Sequence, residues 1–520
     1  MPNVRDELTN LPTDVDALRA LVLSIAAERD ALLDHNERLQ HLLLKLKRLQ
    51  FGRKSERLPE DQRQLALEDL EQAAAQVQAS AEKRDPDLRK QRVVQRRASR
   101  GSLPAHLPRI EVTLTPDDTA CPCCRAPMTV IGEDTSERLD VIPVQYRVIV
   151  TRRPKFACRA CEGTIVQEAA PPRLIEAGIP TEAMVAHVAV ARFADHQPLY
   201  RQAQMMTRQG VMLDRSTLAS WMGYAAAEVA PVVARLREIV LASGRIFADE
   251  TIVPVLDPGR GRTKQGYFWA VARDDRGWGG RDPPAVVYTY APGRGYHHAQ
   301  ALLGDYCGIL QCDGYQPYKK LALPTGNARP AVTLAFCWSH LRREFYDLAK
   351  AGAPIATETL SRIAALYQIE TKIRGTTAEH RLAVRQAESQ PLVDDLHAWF
   401  TALLAKLPAR GPTAEAIGYA MNHWDGLQRF LDDGRIELDT NSIERAMKPI
   451  ILSRKNSLFA GSDEGGANWS LHASLIETCK LNQVNPQVYF TDLLTRLVNG
   501  WPQSRIDELM PWHWAHTHIH

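Results

Sequence analysis

The sequence predicts a multidomain α+β protein. Its expected parts are an N-terminal coiled-coil helix, a β module framed by cysteine pairs, a helical region, and an α/β core split by an all-helical insertion. Three observations carry this reading. Leucines recur every seven residues near the start, alternating apolar runs lie between two C-x-x-C pairs, and from residue 245 strand-like runs give way to helical spacing. At 520 residues the chain is long enough for three or four domains and a full core. Hydrophobic residues at 45% and charged residues at 24% are ordinary for a globular protein.

In the first part (1–52), residues 14–50 read as one long helix. Leu18, Ile25, Leu32, Leu39 and Leu46 form one heptad column, and Leu21, Leu42 and Leu49 form a second, interrupted by Glu28 and His35. That pattern favours a coiled coil, hence a homo-oligomer, over an amphipathic helix packed on its own domain. Residues 53–110 read as a linker, expected to be disordered when free. Its end, residues 83–100, holds eight basic residues against two acids, a net charge of +6. Lys90, Arg92, Arg96 and Arg97 in this arm are candidate DNA-phosphate contacts, and a solvated linker is the alternative.

Residues 111–170 alternate like strands in IEVTL, RLDVIPV, YRVIVTRR and KFAC. Cys121 and Cys124 precede most of them, and Cys158 and Cys161 follow. Two such pairs 33 residues apart fit a tetrahedral, closed and therefore structural Zn²⁺ site. Cys123 competes with Cys124 for the second position, and four buried thiols are the alternative. Cys307, Cys312, Cys337 and Cys479 have no ligand spacing and read as core.

Residues 171–242 read as a helical, helix-turn-helix-like region. Within it a turn at Gly210 leads into a helix capped by Asp214 or Ser216, with Arg215 a candidate DNA contact. The first part of the core spans 243–350. Three strands (IFADETIVPVL, GYFWAVARDD, AVVYTY), a helix, the strand GILQCDG, a short helix and the strand VTLAFCW follow in turn. A helix over residues 340–350 comes next. That order is the order of a ribonuclease-H-like sheet, in which the first and fourth strands are neighbours. Residues 351–436 are a helical insertion, 437–500 a last helical part of the core, and 501–520 a C-terminal tail.

Three carboxylates stand at informative places. Asp249 ends the first strand, Asp313 ends the fourth, and Glu444 lies on a late helix. Adjacent strand ends put the two aspartates side by side. Clustered carboxylates with room for water and phosphate suit Mg²⁺ or Mn²⁺. Turn chemistry at the aspartates, and a capping box joining Asn441 to Glu444, explain the same residues without catalysis. Glu250 and Asp439 are the nearest rival ligands. His340, Arg342 and Arg343 follow the fifth strand as candidate phosphate contacts, with a helix-start cap and surface ion pairs as the alternatives. Arg454 and Lys455 are further candidates for DNA binding.

Several longer phrases complete the pattern. They are Phe51–Glu56 (FGRKSE), Ala194–Tyr200 (ADHQPLY), Ala248–Thr251 (ADET), Cys312–Tyr315 (CDGY), Cys337–Phe345 (CWSHLRREF), Asn441–Arg445 (NSIER) and Gly461–Gly466 (GSDEGG). Together with the heptads and the cysteine pairs, they make the chain resemble the TnpC-type DDE transposases of the Insertion Sequence Sixty-six family over nearly its whole length. The resemblance implies that Asp249, Asp313 and Glu444 are the catalytic triad binding Mg²⁺ or Mn²⁺, with a helical insertion between the last two. It implies that the zinc module and following helices bind DNA, and it suggests accessory proteins of the same element as partners. Two departures stand out: Cys123-Cys124, where the family more often has one cysteine, and Thr440, where it often has Asn.

The implied reaction is phosphodiester cleavage at the element end, freeing a 3′-hydroxyl that then attacks target DNA. A non-catalytic zinc and helix-turn-helix regulator, and a ribonuclease-H-like nuclease without strand transfer, are the competing readings. A net charge of +3 excludes a wholly basic, histone-like protein. With no apolar run of membrane-spanning length and no signal-peptide pattern, the expected place is the bacterial cytoplasm, on the nucleoid when DNA-bound.

Overall fold

The computed structural model describes residues 14–26, 29, 82, 85–99, 109, 111, 113, 123, 125–126, 145–157, 165–257, 259, 261–323, 332–408 and 410–518. The chain divides into two compact units, Met1–Val144 and Gln145–His520.

In the first unit, residues 15–26 form helix α1. Asp14 caps it, its carboxylate accepting from the Ala17 amide at 3.1 Å. Val22, Leu23 and Ile25 are exposed, so the single chain leaves part of the apolar surface uncovered. The later heptad positions lie outside the described residues. The basic arm is helical rather than disordered: Pro86–Ser99 forms α2. The local reason is a strong start. Asp85 Oδ1 accepts from the amides of Asp87 and Leu88 at 2.9 and 3.0 Å, and Pro86 opens the helix.

The second unit begins with residues 145–154, which form no strand despite the β-type YRVIVTRR sequence. Val148, Ile149 and Val150 are exposed and have no ladder partner among the described residues, and a β pattern without a partner strand does not make a sheet. Lys155–Ala157 (β1) and Ile165–Gln167 (β2) pair antiparallel. The chain between them carries Cys158 and Cys161, which lie outside the described residues, as do Cys121 and Cys124. Cys123 is exposed.

Helices α3 (Glu182–Phe193), α4 (Leu199–Thr207) and α5 (Arg215–Leu241) follow. Asp214 holds the N-cap position of α5 but makes no side-chain capping bond, and Ser216 lies inside the helix. The buried stripe of α5, from Leu218 through Val229 to Val240, is part of the same hydrophobic core as the sheet. These helices are therefore packed into the core. His472 fixes the join. It is fully buried, stacks on Phe193 and bonds the Met222 carbonyl at 3.0 Å, and burial pushes its pKa down to about 4.

The sheet has five strands in the order β5-β4-β3-β6-β7. They are β3 (Arg245–Asp257), β4 (Arg262–Arg273), β5 (Ala285–Ala291), β6 (Gly308–Cys312) and β7 (Val332–Phe336). β3, β4 and β5 form an antiparallel meander, and β6 and β7 join parallel to β3. Order and directions match a ribonuclease-H-like sheet. Between strands lie α6 (Tyr296–Leu303) and α7 (Gln316–Leu321), and α8 (Trp338–Lys350) follows β7.

The insertion is helical: α9 (Pro354–Ile373), α10 (Ala378–Val384), a π turn at Arg385–Ser389, α11 (Gln390–Leu404), α12 (Pro412–Asn422) and α13 (Trp424–Gln428). Two fully buried arginines hold it together. Arg385 grips both oxygens of Glu370 at 2.7 Å, and Arg381 bridges Glu370 at 3.3 Å and Glu437 at 2.7 Å. The chain then returns as α14 (Asn441–Ser457), α15 (Asp463–Leu481) and α16 (Pro486–Val498). The last described residues pack into the core. Pro511–His518 forms α17, whose Trp512 and Trp514 are buried, and Trp514 bonds Asp492 at 2.7 Å. Two indoles, one of them hydrogen-bonded, offer too much apolar surface to leave in water. No helix among the described residues is long and apolar enough to cross a membrane.

Candidate active site

Sheet register brings the two aspartates together. β3 and β6 pair in parallel as far as Phe247 opposite Gln311. Asp249 and Asp313 each lie two residues past that last matched pair, near enough for the charge of Asp313 to act on Asp249. Asp249 does not end its strand. β3 runs on to Asp257 because the long hairpin with β4 continues after β6 has left. Ile246, Phe247 and Ala248 are buried ahead of it and anchor the position.

Asp313 starts a turn that its own carboxylate builds, accepting from the Tyr315 amide at 2.9 Å. Gly314 makes the turn possible. Its φ is +85°, and a Cβ there would stand 2.7 Å from the His423 ring.

Glu444 enters from α14. Ile443, Met447 and Ile450 form the buried stripe of that helix, which packs on β3. The capping box does not form. Thr440 is the N-cap, Asn441 is already inside the helix, and Asn441 spends its side-chain amide on Asp439 at 2.6 Å. Glu444 Oε1 is buried with no hydrogen-bond partner, 3.8 Å from His340 Nδ1.

Electrostatics tie the acids together. Burial above all, then the charges of Glu250, Asp313 and Glu444, push Asp249 up to about 7. The rivals are occupied. Arg294 and Tyr318 claim both oxygens of Glu250, at 2.6 to 2.9 Å. Asp439 accepts from the Asn441 amide at 3.1 Å as well as from its side chain. The donor set left over is hard oxygen, with one orphaned carboxylate oxygen. It fits Mg²⁺ or Mn²⁺.

The basic candidates are spread out. Arg342 and Arg343 are exposed on α8, with Arg342 over the Tyr346 ring. Arg454 donates to the Ile252 carbonyl, and Lys455 beside it is exposed. Arg215 is exposed at the first position of α5. In the first unit Arg96 forms a two-pronged pair with Glu82 at 2.8 and 2.9 Å, and Lys90 pairs with Asp87 at 3.1 Å. Arg92 lies on the same helix, and the side chain of Arg97 lies outside the described residues.

Sequence reading placed Cys307 and Cys337 in the core. Cys307 is exposed. Cys337 is buried, but its sulfur lies with His340 and Glu444, all three ligand atoms within 4.8 Å of one another. The C-x-x-H spacing of Cys337 and His340 across a strand-to-helix junction was the available signal. The Arg294–Glu250 clamp and the Lys319–His423 contact at 2.8 Å had none, since their partners are 44 and 104 residues apart.

Two aspartates on adjoining strands of a ribonuclease-H-like sheet thus share an electrostatic field with a helix-borne glutamate. The chain belongs to the IS66 transposase family: the model described as "Transposase IS66 family" matches residues 177–468, more than half of the chain. The IS66 C-terminal element matches 474–512, and the zinc-finger binding domain of transposase IS66 matches 118–162. A leucine-zipper model, described as "Transposase C of IS166 homeodomain", matches 38–112. Among curated relatives, the uncharacterized protein y4qI of Sinorhizobium fredii is 42% identical, covering 97% of this chain and 98% of its own. The uncharacterized protein y4jD of the same organism is 42% identical, covering 97% of each chain. Family membership implies DNA transposition, DNA binding and a divalent metal, and it suggests zinc in the finger.

Proposed function

We propose that the chain is a DNA transposase in which Asp249, Asp313 and Glu444 act as one catalytic unit. The observation that carries this reading is the parallel pairing of β3 with β6, which sets Asp249 and Asp313 just past the last matched pair of adjoining strands, with the orphaned Glu444 carboxylate oxygen on the helix packed against β3. These three residues would hold Mg²⁺ or Mn²⁺, which supplies charge neutralisation at the reacting phosphate and activation of the attacking oxygen. The protein's own part is positioning. Glu250, held by Arg294 and Tyr318, keeps β3 fixed beside Asp249, and the Gly314 turn aims Asp313. Arg342, Arg343, Arg454, Lys455 and Arg215 supply positive charge for DNA phosphates, and His340 stands beside Glu444. Lys90, Arg92, Arg96 and Arg97 give a basic helix for the DNA backbone. Cys121, Cys124, Cys158 and Cys161 hold structural Zn²⁺, and the heptad helix joins copies of the chain. The protein works on DNA in the bacterial cytoplasm.

The test is Mg²⁺-dependent cleavage and strand transfer on a duplex carrying the inverted repeat that flanks the gene. Glu444→Gln should cut both by on the order of a thousandfold, the worth of several kcal/mol of metal-borne stabilisation. Its melting temperature should stay within a degree or two, since no capping box is lost. Full cleavage in that variant would refute the triad. Cleavage without strand transfer in the unaltered protein would make it a nuclease.

A further inference from the structure

One cluster at the edge of the acidic site draws on different chemistry. Cys337 joins β7 to α8 and is buried, its sulfur accepting from the Thr440 amide at 3.3 Å. His340 follows one turn later and directs Nδ1 toward Glu444 Oε1 at 3.8 Å. Both of those atoms are buried without a hydrogen-bond partner. Buried orphans are uncommon, and two facing each other ask for something between them. The distance is too long for a hydrogen bond. It is near the roughly 3.4 Å that separates nitrogen and oxygen ligands bound tetrahedrally at about 2.0–2.1 Å. The Cys337 sulfur completes the group, within 4.8 Å of both.

We propose that Cys337, His340 and Glu444 form a three-ligand site for a thiophilic divalent cation, Zn²⁺ by preference, that withdraws Glu444 from the Mg²⁺ centre. Sulfur, imidazole and one carboxylate are a zinc donor set with a fourth position open. Mg²⁺ shuns thiolate, so it does not compete for Cys337. On binding, the Cys337 thiol releases its proton to solvent as the metal–sulfur bond forms. One carboxylate then serves two centres, and filling either weakens the other by the same factor. The inhibitory consequence rests on the proposed transposase reading; the metal site itself does not.

The experiment uses the full chain with its finger zinc in place and titrates Co²⁺ as the spectroscopic stand-in. Wild type should take up one further equivalent with a thiolate-to-cobalt charge-transfer band. Cys337→Ser should lose that band, and His340→Gln should bind at least about tenfold more weakly. In parallel, Zn²⁺ should inhibit Mg²⁺-dependent cleavage by wild type. It should be at least about tenfold less potent on Cys337→Ser, whose cleavage in Mg²⁺ alone is unchanged. A Co²⁺ spectrum and stoichiometry identical in wild type, Cys337→Ser and His340→Gln would overturn the site, whatever the cleavage assay shows. A Co²⁺ site present in a protein that never cleaves DNA would leave this site standing and refute the transposase reading instead.

Discussion

Asp249→Asn should stabilise the protein when Mg²⁺ is left out, although it removes a catalytic residue. In the metal-free fold this carboxyl is buried among other acids, and its pKa rises from the ordinary 3.8 to about 7. That difference corresponds to about 4 kcal/mol of cost for holding the ionised form in place at pH 8. Asparagine removes the charge and keeps the oxygen that accepts from the Glu250 amide at 2.8 Å. Its NH₂ group needs a partner, so the net gain should be about 2 kcal/mol, a melting shift of a few degrees. The sign follows from proton counting. A carboxyl raised in the folded state destabilises where the unfolded chain is ionised and the folded one resists. The cost is absent below pH 3.8, grows toward about pH 7 and is full above it. The assay is thermal unfolding of both proteins at pH 5, 6.5 and 8 without Mg²⁺, then at pH 8 with it. The advantage of Asp249→Asn should shrink toward pH 5. Mg²⁺ should raise the melting temperature of wild type only, by mass action on a site the variant lacks. A variant less stable than wild type at pH 8, or an advantage independent of pH, would refute the reasoning.

Three further outcomes are expected. Glu370→Ala should cost about 3–5 kcal/mol in chemical denaturation, because it strips the buried Arg385 of both carboxylate bonds and Arg381 of one. Cys158→Ser should lower the zinc content measured by metal analysis and destabilise the finger. Deleting residues 83–100 should flatten the salt dependence of DNA binding, by about 0.9 in log–log slope for each phosphate that the arm no longer neutralises; an unchanged slope would make α2 a spacer.

Much of the architecture was legible in the chain because it is written locally. Period-two runs mark β3, β4 and β5, and the change to helical spacing marks the insertion, since each element must bury one face. The succession of strands and helices from 245 to 350 was enough to place β3 beside β6 and so to pair Asp249 with Asp313. The helix at 86–99 escapes a composition-based reading because low hydrophobicity hides a good start. Asp85 and Pro86 nucleate it without a core. The terminal segment escapes for the opposite reason, as two tryptophans outweigh its position at the end.

What tertiary structure alone decided concerns groups far apart in sequence. Sequence could not separate Glu444 from a capping box, because Asn441 and Glu444 have the right spacing either way. Only the folded helix start, with Thr440 as N-cap and Asn441 turned to Asp439, removes the cap. Nor could it discard Glu250, which adjoins Asp249 in the chain but, by strand alternation, takes the opposite facing, into the grip of Arg294 and Tyr318. The orphaned pair of His340 and Glu444 is likewise a product of packing. The pattern of side-chain types fixes the elements, while the partner of a buried polar atom depends on which elements the fold brings together.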